Sequence, residues 1–161
     1  TRADGVWTGE PGWPCVVLPA DCLPVLLARQ DGSAVAAVHA GWRGLQAGVI
    51  ERAIDELAVA PDQLQVWLGP MIGTAAFEVG PEVIEAFTAH DAGAAECFVA
   101  ADRAGHWQAD LPSLARQRLR ACGVNAVFGG ELCTHSDAVR FFSYRRDGRC
   151  GRMVSLIWQS K

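Results

Sequence analysis

A thiol and an imidazole each stand at the end of a strand-like segment early in this chain. Cys22 lies in the run Ala20-Asp21-Cys22-Leu23-Pro24, and His39 begins the run His39-Ala40-Gly41-Trp42-Arg43-Gly44. Thiolate sulfur and imidazole nitrogen are ligands that zinc and copper prefer, and a histidine can also activate a cysteine nucleophile. The two runs therefore predict a metal site or a nucleophile site. The remaining interpretation is a buried thiol near an ordinary histidine.

A catalytic zinc ion usually takes three protein ligands and keeps one position open, so Cys22 and His39 need a third partner. Within the sequence the candidates are His90, His106 and His135. A residue upstream of the first position is the fourth candidate, since we expect the native chain to start earlier.

A hairpin is expected to bring Cys22 and His39 together. Residues 15–18, 25–28 and 34–38 have the composition of strands, and Asp31-Gly32 is a strong two-residue turn signal between the last two. Antiparallel pairing across that turn places the segment before Val25 level with the segment after Val38. Asp21, beside the thiol, is then in position to orient a ligand or carry a proton.

Residues 41–44 are predicted to form a turn, and one helix is predicted to follow it. Apolar residues recur on one face of that helix at positions 45, 49, 50, 53, 54 and 57. The N-terminus of a helix favours an anion, and Arg43 beside it can hold a phosphate or a carboxylate. The alternative for Arg43 is a solvated surface position.

A second cluster lies near the C-terminus, in the run of residues 141–148 followed by Arg152. Ser143, Arg145 and Arg146 belong to this run, and its three arginines predict an anion pocket that binds substrate. The alternative is a hairpin with charged flanks.

The other elements point to an α+β fold with mixed sheets. Strands are predicted at residues 64–68, 124–128, 141–142 and 153–158, and loops at residues 73–80 and 89–95. Pro81 predicts a helix that runs toward Phe87, and Asp110 and Gly123 are suited to begin and end a helix at residues 111–122.

Composition limits the class of protein. The chain has 161 residues, half of them hydrophobic, and we expect a single domain over residues 1–161. A net charge of −4 argues against a general nucleic-acid binder, and no apolar run has the length of a membrane span. Six cysteines without a Cys-x-x-Cys pair predict reduced thiols and a cytoplasmic protein.

Taken together, these runs resemble the laccase-domain family. That family is also called multicopper polyphenol oxidase, peptidoglycan editing factor or purine nucleoside phosphorylase. The resemblance extends over nearly the whole chain. Besides the two runs around Cys22 and His39, it rests on Leu68-Gly69-Pro70-Met71-Ile72-Gly73, Phe77-Glu78-Val79-Gly80, Cys133-Thr134, Phe142-Ser143-Tyr144-Arg145-Arg146-Asp147 and Gly151-Arg152.

The resemblance implies a four-layer α/β/β/α fold with mixed β-sheets and a metal, usually zinc, bound by Cys22 and His39. The third ligand of the family is a histidine in a His-Gly motif upstream of the segment that matches Ala3-Asp4-Gly5. We therefore expect this sequence to lack the N-terminal segment of the family domain. The oligomeric state is left open.

The functional hypothesis is a zinc-dependent purine nucleoside enzyme. The resemblance implies phosphorolysis of adenosine, inosine and methylthioadenosine, together with deamination of adenosine. Cys22, His39, Arg43 and Asp21 are the predicted catalytic residues, and Arg43, Ser143, Arg145 and Arg146 are predicted to bind nucleoside and phosphate. The alternatives are a copper-dependent polyphenol oxidase, a non-catalytic peptidoglycan editing factor and a cysteine hydrolase that works without metal.

Overall fold

A five-stranded mixed sheet forms the centre of the protein, as seen in a computed structural model that describes residues 3–160. The strands of these residues are β1 (Gly5–Thr8), β2 (Cys15–Val17), β3 (Leu23–Arg29), β4 (Val35–Ala40), β5 (Leu64–Leu68), β6 (Glu78–Val79), β7 (Phe98–Ala100), β8 (Trp107–Ala109), β9 (Ala126–Gly129) and β10 (Ser155–Ile157). The order in the central sheet is β1-β4-β3-β5-β9. Its pairings are antiparallel except that of β5 with β9, which is parallel.

The β3–β4 hairpin forms at the predicted turn. Gly32 adopts a φ of +74°, which glycine reaches without steric cost, and the Asp31 carboxylate accepts a hydrogen bond from the amide of Ser33 at 2.9 Å. The resulting register places Leu23 opposite Ala40 and Pro24 opposite His39. The sequence prediction of this hairpin is confirmed.

The two faces of the central sheet bury different partners. Leu23, Val25 and Leu27 of β3 pack with β4, β5 and the helices in the main core, and all three are fully buried. The opposite face packs against the two-stranded β2–β10 sheet through Cys15, Val17, Val35 and Ala37. Helices, central sheet and second sheet thus lie in successive layers, and the predicted α+β fold with mixed sheets is confirmed.

The helices follow the predicted positions with one correction. They are α1 (Trp42–Gln46), α2 (Val49–Leu57), α3 (Pro81–Thr88), α4 (Leu111–Ala121) and α5 (Tyr144–Asp147), and 3₁₀ turns cover Pro61–Gln63, Thr74–Ala76 and Ala92–Cys97. The prediction of a turn at residues 41–44 followed by one helix is wrong, because α1 already begins at Trp42. Gly48, at a φ of +89°, then separates α1 from α2.

The segment that precedes α5 also differs from its prediction. Residues 141–142 are not in a strand. Asp137 and Ser143 supply the reason, since both side chains accept hydrogen bonds from nearby amides, those of Arg140 and Arg146. Such local hydrogen bonds replace the ladder that a strand would need, and Ser143 becomes the N-cap of α5.

The remaining boundaries agree well with the sequence pattern. Asp110 caps α4 by accepting a hydrogen bond from the Ser113 amide at 2.9 Å, and Gly123 follows the helix with a φ of +86°. The loop predicted at residues 73–80 contains β6, which joins β8 and β7 in a three-stranded antiparallel sheet. Among residues 3–160, none of the helices combines the length and the apolar character needed to cross a membrane.

Candidate functional site

Cys22 and His39 lie at one end of the β3–β4 hairpin and face the same cleft. Pro24 is paired with His39, and Cys22 is two residues before Pro24, so the alternation of strand side chains puts all three on one face of the sheet. A Cβ on Gly41 would lie 3.1 Å from the Cys22 sulfur and 3.7 Å from Cε1 of His39. Both side chains line a cleft of about 470 Å³. The structure therefore brings together the two residues on which the sequence argument depended.

The cleft holds Cys22 as a neutral thiol in the absence of a cation. Burial raises the pKa of Cys22, and the Asp21 and Asp4 carboxylates raise it further, whereas the Arg152 guanidinium lowers it. A cation bound at the sulfur would stabilise the thiolate, because a metal ion is the largest local charge in such a site. A raised pKa is the opposite of what activates a free cysteine nucleophile, whose pKa is usually depressed.

An acidic side chain stands behind the imidazole. Oδ1 of Asp4 is 3.5 Å from Nδ1 of His39, and the amide of His39 donates a hydrogen bond to the carbonyl of Asp4 at 2.7 Å. Histidines that bind metals commonly direct their second nitrogen toward a carboxylate, which orients the ring. Asp4 therefore occupies the place of such an orienting group.

The side chains of the cleft supply only part of the ligand set that a metal ion needs. Cys22 and His39 supply two ligands of the right chemistry, while the other histidines lie outside the cleft: His90 borders a different cavity, and His106 and His135 do not line this one. Over residues 3–160, no group of three or more His, Cys, Asp and Glu side chains is arranged to hold a metal ion. Zinc at Cys22 and His39 stays a prediction.

Gly41 leaves the space that a metal beside these two ligands needs. Its φ of −65° is open to any residue, so the Gly41→Ala variant is expected to fold normally while its methyl group presses on the Cys22 sulfur. We expect zinc affinity to fall by about 10- to 100-fold, the range for disturbed ligand surroundings. Titration against a zinc-buffering chelator measures this. Gly44→Ala, whose Cβ would meet its nearest atom at 3.6 Å, is the matched control and should bind zinc as the parent does.

Asp21 is a buried carboxylate in an unusual backbone conformation. It is 8% exposed and has a φ of +79°, a region that costs a residue with a side chain about 1–3 kcal/mol. Its Oδ1 accepts a hydrogen bond from the Thr134 hydroxyl and its Oδ2 accepts one from the Arg145 amide, each at 2.6 Å. Both oxygens of this cleft residue are thus bound by groups of the protein.

Arg145 lines the cleft opposite the hairpin. Its guanidinium donates hydrogen bonds to the carbonyls of Ala76 and Glu78, at 3.3 and 3.0 Å, and lies 5.6 Å from the centre of the Phe77 ring. These contacts connect α5 to the segment before β6 and leave a positive group at the wall of the cleft.

Arg146 and Ser143 have different surroundings from Arg145. The Arg146 guanidinium donates hydrogen bonds to the carbonyls of Thr134, His135 and Phe141 at 2.8–2.9 Å, and Ser143 is completely buried beneath α5. Neither residue lines the cleft. Their contacts hold the loop before α5 in shape, and direct binding of substrate by them stays a prediction.

Arg43 is exposed at the rim and stacks on Trp42, with its guanidinium carbon 4.3 Å from the ring centre. Trp42 lines the cleft, whereas Arg43 does not. An anion held by Arg43 would therefore lie at the entrance rather than beside Cys22.

The sequence assigned no individual role to Phe77, Tyr144, Asp4 and Thr134. Phe77 and Tyr144 contribute aromatic walls, and Arg152 brings a second guanidinium close enough to Cys22 to lower its pKa. Arg152 belonged to the predicted arginine cluster, and that cluster was the sequence feature that indicated its place in the site. Asp4 and Thr134 had no signal of their own, because they meet the site only through strand pairing and long-range contact.

The surroundings of Cys133 lower the pKa of its thiol, whereas those of Cys15, Cys22, Cys97 and Cys122 raise the thiol pKa. Burial raises the pKa of Cys133, but hydrogen bonds from the Ser136 hydroxyl at 3.3 Å and from the Gly73 amide at 3.2 Å outweigh it. Burial raises the pKa of Cys97 to about 11. All six cysteines lie in the described range and are free thiols, so these differences are open to chemical test.

Alkylation by iodoacetamide should follow the order of the thiol pKa values, because only the thiolate reacts. Cys133 is expected to react at lower pH than Cys97. Ser136→Ala removes a bond to the thiolate and raises the pKa of Cys133, so its alkylation profile should move to higher pH while that of Cys97 stays in place. Peptide mass spectrometry across a pH series gives both profiles. An unchanged Cys133 profile in this variant would show that the hydroxyl does not stabilise the thiolate.

Comparison with known proteins agrees with the fold and with the arrangement of the motifs. The chain is 54% identical over 157 residues to a purine nucleoside phosphorylase of Pseudomonas aeruginosa, covering 98% of this chain and 65% of that protein. It is 51% identical over 157 residues to the purine nucleoside phosphorylase YfiH of Escherichia coli, covering 98% of this chain and 64% of the relative. The chain spans 60–65% of the length of such curated relatives.

Solved structures share the architecture. A crystal structure of a Neisseria meningitidis protein superposes with a TM-score of 0.96 at 46% identity, covering 99% of this chain and 65% of that one. YlmD from Geobacillus stearothermophilus gives a TM-score of 0.90 at 28% identity, over 99% of this chain and 62% of its own. The sequence profile named multi-copper polyphenol oxidoreductase laccase matches residues 1–160. With nearly every residue matched, the chain belongs to this laccase-domain family.

Proposed function

We propose that this chain carries the metal-dependent active site of a purine nucleoside phosphorylase. The observation on which the proposal rests is the cleft in which Cys22 and His39 lie beside aromatic walls and two guanidinium groups. The bacterial relatives, which are named purine nucleoside phosphorylases, support the reaction class. A reduced, cytoplasmic setting belongs to the same proposal, since all six cysteines are free.

The cleft contains groups suited to each of the two substrates. Trp42, Phe77 and Tyr144 present ring faces or edges against which a flat purine packs well. Arg145 and Arg152 present positive charge, and a guanidinium matches the oxygens of a phosphate with two parallel hydrogen bonds. We assign the nucleoside base to the aromatic walls and phosphate to the side of the two arginines.

The reaction would then be a substitution at the sugar. A phosphate oxygen forms a bond to C1′ of the ribose, the C1′–N9 bond breaks, and the purine leaves with the bonding electrons and takes up a proton. Arg145 and Arg152 hold the anionic nucleophile against the sugar, and enclosure by the aromatic rings orients the base. Zinc held by Cys22 and His39 would supply the positive charge of a Lewis acid at this position.

The range of substrates is part of the proposal. Adenosine, inosine and methylthioadenosine share the purine and ribose that the cleft is proposed to hold. Deamination of adenosine is a second proposed activity, in which water replaces ammonia at C6 of the base. It needs no phosphate, which separates the two reactions in an assay.

The test is turnover of inosine and adenosine by the zinc-loaded chain, with and without phosphate, followed by chromatography of the products. Phosphorolysis gives hypoxanthine from inosine only when phosphate is present. Arg152→Ala is expected to raise the KM for phosphate at least tenfold, because a charged contact to phosphate is worth about 1.5–3 kcal/mol. Arg149→Ala, at a nearby exposed position outside the cleft, is the control. Base release that is independent of phosphate, or no turnover at all, would refute the phosphorylase proposal.

The family's name, multi-copper polyphenol oxidoreductase laccase, makes a copper-dependent polyphenol oxidase the second candidate. Copper oxidases with several metal centres need many histidines, and of the four in this sequence only His39 lines the cleft. Oxidation of a phenol by the copper-loaded chain, compared with the zinc-loaded chain, distinguishes this candidate. A non-catalytic editing factor predicts no turnover in either assay, and a metal-free cysteine hydrolase predicts activity that survives chelation.

A further inference from the structure

We propose that Asp21 is a positioning residue, whose carboxylate sets Tyr144 and Arg145 against the cleft that contains Cys22. The inference rests on the proposed function only in treating this cleft as the substrate site. The sequence pattern suggested ligand orientation or proton transfer for Asp21, and its contacts in the structure favour a different role.

Asp21 connects three parts of the chain that are remote in sequence. Its Oδ1 accepts a hydrogen bond from the Thr134 hydroxyl, its Oδ2 accepts one from the Arg145 amide, and its carbonyl accepts one from the Ile72 amide at 2.9 Å. The two side-chain bonds span 113 and 124 residues of sequence and measure 2.6 Å each. Asp21 and Thr134 are both buried, so the bond between their side chains lies away from competing water, and the bond from the Arg145 amide is partly buried.

Helix α5 depends on such contacts for its place. It has only four residues, and an isolated helix of that length does not persist in water. Ser143 and Arg146 shape the loop before this helix. The hydrogen bond from the Arg145 amide to the Asp21 carboxylate connects α5 directly to the residue beside Cys22. Asp21 therefore controls how far Tyr144 and Arg145 lie from the proposed metal ligands Cys22 and His39.

The left-handed backbone of Asp21 agrees with this role. A φ of +79° is uncommon for a residue with a side chain and persists where surrounding contacts hold it. Here it turns the carboxylate toward Thr134 and α5 while the next residue, Cys22, enters the sheet. Since both oxygens accept hydrogen bonds from the protein, positioning accounts for the burial of this charge without a proton-transfer step.

A single fluorine probe tests the proposal without depending on catalysis. Tyr144 is the only tyrosine of the chain, so protein labelled with 3-fluorotyrosine gives one ¹⁹F resonance from the wall of the cleft. Asp21→Ala removes both hydrogen bonds, and Thr134→Val removes one while keeping the shape of a buried side chain. We expect both variants to shift or broaden the resonance, with the larger effect from Asp21→Ala. Thr134→Val serves if Asp21→Ala does not fold.

Asp21→Asn separates positioning from proton transfer. An asparagine at this position can accept from the Arg145 amide and donate to the Thr134 oxygen, and it tolerates the left-handed backbone. It is expected to rescue the parent resonance. In kinetic assays Thr134→Val should raise the KM for phosphate severalfold with little change in kcat, and Asp21→Asn should rescue what Asp21→Ala loses.

The outcomes distinguish the two proposals. A resonance that is unmoved in both Thr134→Val and Asp21→Ala overturns the positioning role, and so does a loss of kcat in Asp21→Asn as large as in Asp21→Ala. If no variant and no parent protein turns over a nucleoside, the proposed function fails while the ¹⁹F result still decides the role of Asp21. Asp102→Ala, at an exposed position outside the cleft, is the control and should leave the resonance in place.

Discussion

Replacing Cys22 by Ala is expected to lower kcat/KM for nucleoside phosphorolysis by at least about 100-fold, because losing even a group that orients a ligand costs 10- to 100-fold. The sulfur is one of the two zinc ligands proposed among residues 3–160, and His39 alone cannot hold zinc in a defined position. We expect zinc affinity to fall in parallel. Steady-state kinetics and titration against a zinc-buffering chelator measure the two losses.

Chelation provides the complementary test of the same residue. Removing zinc from the parent protein should suppress turnover, and adding zinc back should restore it, whereas the Cys22→Ala variant should gain nothing from added zinc. Cys122→Ala, at the end of α4 and outside the cleft, controls for the loss of a thiol and should resemble the parent. Normal turnover by Cys22→Ala would remove the metal pair from the mechanism.

Leu27→Ala is expected to produce the largest loss of stability among the substitutions considered. Leu27 is fully buried in the central strand β3, where it pairs with Ala36 of β4 and Val66 of β5. The small neighbour Ala36 cannot fill the space that the lost carbons leave. The free energy of unfolding should decrease by roughly 3–5 kcal/mol. The thermal midpoint should then fall by roughly 6–20 °C for a domain of this size.

Leu26→Ala is the matched control, since the adjacent side chain faces the second sheet and is only partly buried. Its cost is expected to be about 1–2 kcal/mol. Calorimetry or chemical denaturation of both variants gives the comparison. Zinc affinity should be unchanged in Leu27→Ala, because the turn end of the hairpin is remote from Cys22. Equal destabilisation by the two substitutions would contradict the assignment of the two faces.

Local signals in the sequence were sufficient for the hairpin and for α4. Gly32 takes a positive φ in the hairpin connection and the Asp31 carboxylate accepts a hydrogen bond from the Ser33 amide, while Asp110 and Gly123 mark the two ends of α4. The strand alternation in β3 and β4 follows from the same local rule. For this reason the convergence of Cys22 and His39 could be predicted before any coordinates were known.

Local signals failed where two local structures competed. The apolar pattern from Leu45 to Leu57 fits one helix as well as two, and the pattern does not show that Gly48 takes a left-handed conformation between α1 and α2. The aromatic pair before Ser143 has the composition of a strand. Its conformation is decided by hydrogen bonds from Asp137 and Ser143, which periodicity does not register.

The amino-acid sequence by itself determined the family, the hairpin and the meeting of Cys22 and His39 at its end, because turn chemistry, strand alternation and motif order are local properties. Tertiary structure alone decided which arginines reach the cleft. Arg145 and Arg146 are adjacent and chemically identical, and both guanidinium groups donate hydrogen bonds to backbone carbonyls, yet only Arg145 lines the cleft. The contacts that place Arg145 join it to Asp21, 124 positions away, and to Ala76 and Glu78, 69 and 67 positions away, and no local pattern contains such contacts.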